Sequence, residues 1–201
     1  MKLDPFYLIV DNADLIERFV PLGIKLVQLR IKNENQQMIR QHIKRAKNTC
    51  DQLGAQLIIN DHWEMAIEEK CNFIHLGQED LNNADLPAIR KSGIRFGLST
   101  HDEHELDIAL SVYPAYIALG PIYPTILKKM KWMPQGLEKL KQWRKRIGAL
   151  PLVGIGGLTP ERAVDVLKAG ANSAAVVTDI ILHKQPEKRV QQWIKVTQTW
   201  R

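Results

Sequence analysis

Cysteine is scarce in this chain of 201 residues: Cys50 and Cys71 are its only 2. They share no metal-ligand spacing and belong to no disulfide framework, so a reducing cytoplasm is the expected compartment. Long apolar runs are missing too. The stretch MKLDPFYLIVDNAD carries one lysine and a short apolar run, Phe6 to Val10, closed by Asp11. That is too short for a secretory signal and far short of the roughly 20 residues a membrane span needs. No apolar run opens into a Gly-x-Gly-x-x-Gly turn, which argues against a doubly wound dinucleotide fold. Zinc-finger spacing, a recognition-helix pattern and ribonucleoprotein aromatics are all lacking. There is no linker or low-complexity tract, and the length suits one domain, residues 1–201.

What is present is positive charge, +6 in all, within a composition that is 45% hydrophobic and 25% charged. An anionic partner is implied, either nucleic acid or phosphorylated metabolites. No motif supports nucleic acid. The densest basic stretch, Lys139 to Arg146, reads as a helix with Leu137, Leu140 and Ile147 turned inward, its charges forming a solvated outer face.

Along the chain, short β-branched runs alternate with helical patterns. Runs at 6–10, 26–31, 56–61, 73–77, 95–99, 116–122, 150–156 and 173–177 read as strands. Between them lie helical stripes such as Ile39, Ile43, Ala46 and Cys50, ended by Gly54, and a helix opened by Pro160 and ended by Gly170. Eight strand–helix units predict parallel pairing, right-handed crossovers and closure into a single (β/α)8 TIM barrel at the small end of its size range.

In such a barrel, chemistry collects where the strands end. The polar residues obey this. Gln28, Arg30 and Lys32 alternate and share one face; Asn60-Asp61, His75, Asp80, Ser99, Thr125, Gly157 and Thr178 follow the other strands. The opposite strand ends carry no comparable set. Arg30, Lys32 and Lys128 supply cations for phosphate. Asp61 and Asp80 supply the hard oxygen donors that Mg²⁺ takes alongside substrate phosphates. Gly154, Gly156 and Gly157, with the last strand, match the barrel's common phosphate site. Each feature alone has a plainer reading: Asn60-Asp61 as a turn, the glycines as a tight bend, His75 as a packing residue. His101 and His104, beside Asp102 and Glu103, read as a capped, solvated helix start rather than metal ligands. Co-location of phosphate and metal chemistry at five strand ends outweighs those readings.

The stretches VQLRIK (27–32), INDHW (59–63), HLGQEDL (75–81), GLSTHD (97–102), YIALGPIYPT (116–125), MPQGLEKL (133–140), VGIGGLTPERA (153–163) and AAVVT (174–178) together resemble thiamine phosphate synthases over nearly the whole chain. The resemblance implies condensation of 4-amino-2-methyl-5-hydroxymethylpyrimidine diphosphate with a thiazole phosphate, giving thiamine monophosphate and pyrophosphate with Mg²⁺. It implies that Gln28, Leu29, Arg30, Ile31, Lys32, Asn60, Ser99 and Lys128 hold the pyrimidine diphosphate, with Arg30, Lys32 and Lys128 catalytic. It assigns Asp61 and Asp80 to the metal, and Thr125, Ile126, Leu127, Gly157, Val177 and Thr178 to the thiazole phosphate. Lys129 and Lys131 are expected to be solvated only. The sequence departs from the family pattern at Leu127, where a second threonine is expected, and at Asp179, which would set a carboxylate near the phosphate.

The partners expected are small phosphorylated substrates, without nucleic acid or membrane; self-association stays open. Two rivals share the fold. A thiazole tautomerase relative has histidine at the place of Pro121 and lacks the full metal and cation set, so Pro121, Asp61, Asp80 and Lys128 argue against it. A non-catalytic ligand-binding paralogue would keep the barrel and lose the chemistry.

Overall fold

The computed structural model describes residues 2–125 and 132–201. Its strands are β1 (Phe6–Val10), β2 (Leu26–Leu29), β3 (Gln56–Asn60), β4 (Phe73–Leu76), β5 (Arg95–Thr100), β6 (Tyr116–Leu119), β7 (Leu152–Ile155) and β8 (Ser173–Val176). All neighbours pair in parallel and β8 returns to β1, so the sheet closes as the (β/α)8 barrel that the alternation predicts. Most strands are shorter than the apolar runs suggest. Beyond β2, for example, only the Arg30 amide continues the pairing, donating to Val10 at 2.7 Å. The rim residues that follow serve the cavity instead of the ladder.

Strand alternation sorts side chains into two cores. Phe6, Leu8, Val27, Leu29, Ile59, Ile74, Leu98, Ile117 and their neighbours pack outward against the helices. Tyr7, Ile9, Leu26, Ile58, Phe73, Tyr116, Ala118, Val153 and Ala175 fill the interior. The inward-facing positions one step further along the strands are Gln28, Asn60, His75 and Ser99. The same period of two therefore places an aromatic plug at the bottom and polar groups above it.

The helices are α1 (Ala13–Phe19), α2 (Gln36–Leu53), α3 (Trp63–Glu68), α4 (Gln78–Asn83), α5 (Leu86–Lys91), α6 (Glu103–Ser111), α7 (Gly136–Ile147), α8 (Pro160–Lys168), α9 (Thr178–Ile181) and α10 (Pro186–Thr197). Asn12, Asn35, Asp85, Asp102 and Thr159 cap α1, α2, α5, α6 and α8 through their side chains. The expected stripe of α2 is buried as read, through Ile39, Ile43, Ala46 and Cys50. The short helices α4 and α9 escape a sequence reading because neither is long enough to show a period. Helix α7 corrects another expectation. Its Arg144 is not part of a solvated face: it donates to the carbonyls of Gly148 and Gly170 and to Asn172, tying α7 to the loops before β7 and β8. Among the described residues no helix is long and apolar enough to cross a membrane.

The plug depends on one missing side chain. Gly97 on β5 lies directly opposite Tyr116 on β6, and a Cβ there would fall inside the Tyr116 ring. Gly97→Ala is predicted to lower stability by about 1–3 kcal/mol, the usual cost of overpacking, read from urea unfolding. An unchanged midpoint and slope would show that the ring is not held by this contact.

Candidate active site

At the C-terminal ends of the strands lies a cavity of about 670 Å³, lined from all eight strands. Its floor is the row of inward polar groups. The Gln28 amide donates to the Tyr7 hydroxyl at 2.6 Å, and that hydroxyl lies 3.0 Å from the one on Tyr116. His75 bridges Tyr116 (Nδ1, 2.7 Å) and Ser99 (Nε2, 2.8 Å), and its ring stacks on Tyr116. Burial holds the Tyr7 and Tyr116 hydroxyls well above the ordinary phenol range. It pushes the His75 imidazole down to about 4, with the Arg30 charge adding to the effect and Asp80 opposing it. The ring is therefore neutral near pH 7. His75 is the packing residue expected, and it also lines the cavity.

One wall gathers charge. Arg30, Lys32, Asp61 and Asp80 all line the cavity. Lys32 pairs with Asp61, whereas Arg30 enters none of the ion pairs between described residues. Asp61 adopts a left-handed backbone with φ 62°, and its amide donates to the His75 carbonyl at 2.9 Å. Asp80 sits in the first turn of α4 and accepts from the Gly77 amide at 3.2 Å. Burial, then the neighbouring Asp61 charge and its hydrogen bond, raise the Asp80 carboxyl above its ordinary value. Two carboxylates held this close repel each other, and a shared cation relieves that repulsion. The Asn60 side chain is buried with its Nδ2 unpartnered, an orphan donor at the cavity wall.

The opposite wall is built from backbone. Gly156 and Gly157 have φ of 104° and 64°. A Cβ on Gly156 would come within 2.7 Å of Pro121, and one on Gly157 would meet Pro124 and Tyr123. The tight-bend reading thus explains why glycine is required, and the same bend leaves main chain facing the cavity with Thr125, Val177 and Thr178. The first N–H groups of a helix have no intrahelical acceptor, so the start of α9 offers donors here. Asp179 behaves otherwise than expected. Its carboxylate takes two hydrogen bonds of 2.8 Å from Arg189 and one of 2.7 Å from the Trp193 indole. It is paired with α10, anchors α9 and is not among the residues that line the cavity.

Of the described residues assigned from the sequence, Gln28, Arg30, Lys32, Asn60, Asp61, Asp80, Ser99, Thr125, Gly157, Val177 and Thr178 meet in this one cavity. Leu29 and Ile31 turn their side chains into the outer core, leaving only main chain near the mouth. Ile126, Leu127, Lys128, Lys129 and Lys131 lie outside the described residues. The sequence reading overlooked Tyr116 in the floor, and Tyr7, Gln78, Glu105 and Trp132 as cavity residues, and it read His101 as part of a capped, solvated helix start. His101 is half-buried rather than fully solvated: Nδ1 lies 2.7 Å from Glu105, and the ring stacks on Trp132. The i, i+4 spacing of His101 and Glu105 was a legible signal, whereas the Trp132 stack was not. His104 is exposed, as expected. Burial pushes the Cys50 thiol up to about 12 and the Cys71 thiol up to about 11, so neither serves as a nucleophile near neutral pH.

A family model described as thiamine monophosphate synthase matches residues 6–180. The thiamine-phosphate synthase of Rhizobium etli is 61% identical over 201 residues, covering 100% of this chain and 98% of that one. The thiamine-phosphate synthase of Neisseria meningitidis is 46% identical over 186 residues, covering 92% and 91%. Among solved structures, the thiamine phosphate pyrophosphorylase of Pyrococcus furiosus superposes with a TM-score of 0.86 at 21% identity, covering 98% of this chain and 96% of that one, a likeness of fold. The chain belongs to the thiamine monophosphate synthase family.

Proposed function

We propose that this chain is a thiamine-phosphate synthase whose cavity takes a pyrimidine diphosphate at its charged wall and a thiazole phosphate at its glycine wall. The observation that carries this reading is the meeting, in one bowl, of Arg30, Lys32, Asp61 and Asp80 on one side with Gly157, Val177 and Thr178 on the other. Such a bowl suits two phosphorylated substrates joined between the walls.

The chemistry follows from charge. Cleavage of the pyrimidine-methyl to oxygen bond leaves a pyrimidine methyl cation and puts the bonding pair on the departing pyrophosphate. Arg30 and Lys32 meet charge that grows as that bond breaks, so they stabilise the transition state more than the bound substrate. By family resemblance Lys128 joins them. The thiazole nitrogen then attacks the methylene carbon, and no protein nucleophile is required. Thr125, Gly157, Val177 and Thr178 orient the thiazole phosphate, with Ile126 and Leu127 assigned beside them by resemblance alone. Asp61 and Asp80 fit Mg²⁺, because the repulsion from Asp61, which adds to burial in raising Asp80, is relieved by a shared cation. No group of three or more His, Cys, Asp or Glu among the described residues could hold a metal, so diphosphate oxygens and water would complete the ligand set. When bound, Mg²⁺ supplies charge neutralisation at the leaving diphosphate.

The direct test is to mix both substrates with Mg²⁺ and look for thiamine monophosphate by mass. Product is expected; none at any thiazole concentration would leave a non-catalytic relative. Asp61→Ala and Asp80→Ala are each predicted to lower turnover roughly 100-fold, the scale for losing one preorganised charge-stabilising group. Full activity of both variants in excess chelator would remove the metal from the mechanism. For Asp179, Asp179→Ala is predicted to cost about 1–3 kcal/mol in urea unfolding, because it removes the acceptor shared by the Arg189 guanidinium and the Trp193 N–H. Asp179→Asn is predicted not to lower KM for the thiazole phosphate. A several-fold fall would mean that the Asp179 charge opposes that phosphate after all.

A further inference from the structure

The polar floor has a direction. Gln28, Tyr7, Tyr116, His75 and Ser99 are joined in single file by hydrogen bonds of 2.6, 3.0, 2.7 and 2.8 Å. Tyr7 and Tyr116 are buried and His75 nearly so, while Ser99 at the end of the file is partly exposed and lines the cavity. A hydroxyl has one proton to give, and a neutral imidazole has one donor and one acceptor nitrogen. The Gln28 amide donates to the Tyr7 oxygen, and among the described residues Tyr116 is the one remaining partner of that hydroxyl; assigning the Tyr7 proton to Tyr116 satisfies both, and Tyr116 then gives its own to His75 Nδ1. The imidazole must then carry its hydrogen on Nε2 and donate it to Ser99 Oγ. The buried ring is bonded to a hydroxyl at each nitrogen, so when one nitrogen accepts the other donates.

We infer that Tyr116 and His75 are positioning residues that commit the Ser99 hydroxyl proton to the cavity, where it donates to an anionic oxygen of the diphosphate. In the opposite polarity Ser99 would give its proton to His75 and turn lone pairs toward the anion. The inference rests on the diphosphate reading of the charged wall, but the direction of the file is a property of the protein alone.

Two measurements test it. In ligand-free protein labelled with ¹⁵N-histidine, the His75 Nε2 resonance should be that of a protonated nitrogen and Nδ1 that of an unprotonated one. The reverse tautomer overturns the inference. Second, Tyr116→Phe removes the donor to Nδ1 while keeping the ring. It should disturb the tautomer, lower kcat/KM on the order of 10- to 100-fold, and weaken binding of inorganic pyrophosphate with Mg²⁺, read by calorimetry, by about tenfold. Parental pyrophosphate binding with an intact tautomer in folded Tyr116→Phe overturns it as well. If that variant fails to fold, the tautomer in the unaltered protein still decides. If the unaltered protein makes no thiamine monophosphate, the functional reading fails, while tautomer and pyrophosphate binding judge this inference separately.

Discussion

The Tyr116 ring lying across Gly97 is the contact on which the rest of the site depends. A (β/α)8 barrel of this size must fill its own interior, and here Tyr7, Phe73 and Tyr116 do so edge to face. Because these rings are large, the plug seals the bottom of the barrel and leaves the upper half open as a cavity. Because two of them carry hydroxyls, the plug also presents polar groups upward, and these fix Gln28, His75 and Ser99 at the cavity floor. Packing and polarity are thus solved by the same side chains.

Above that floor the site is divided by the type of group offered. One wall presents side-chain charge, with Lys32 held by Asp61, Asp80 raised by burial and then by its neighbour Asp61, and Arg30 in none of the ion pairs between described residues. The other presents main chain, exposed by glycines that no larger residue could replace against Pro121 and Pro124. Side-chain charge suits a group whose charge grows during reaction, and fixed backbone suits one whose charge is constant. Asp179, read from sequence as an intrusion at the second wall, is instead part of its support through Arg189 and Trp193.

The fold was legible because strand and helix periods alternate cleanly, and the site was legible because strand parity sends Gln28, Arg30 and Lys32 to one side together. Parity also explains Leu29 and Ile31, whose side chains face the outer core. What stayed hidden depends on contacts across the barrel. Nothing local marks Tyr7 and Tyr116 as partners, since they lie 109 residues apart. Nor does a local pattern separate Arg144, which binds loop carbonyls, from the basic residues around it. The helices α4 and α9 are too short to declare a period, so Asp80 and Thr178 could be assigned to strand ends but not to helix starts.

The most direct measurement of the central claim, a charged wall for the diphosphate and a separate backbone wall for the second phosphate, is a crystal structure with Mn²⁺ and pyrophosphate. The account predicts an anomalous peak between Asp61 and Asp80, with pyrophosphate against Arg30 and Lys32. Pyrophosphate seated at Gly157 and Thr178, or manganese away from both carboxylates, would contradict it.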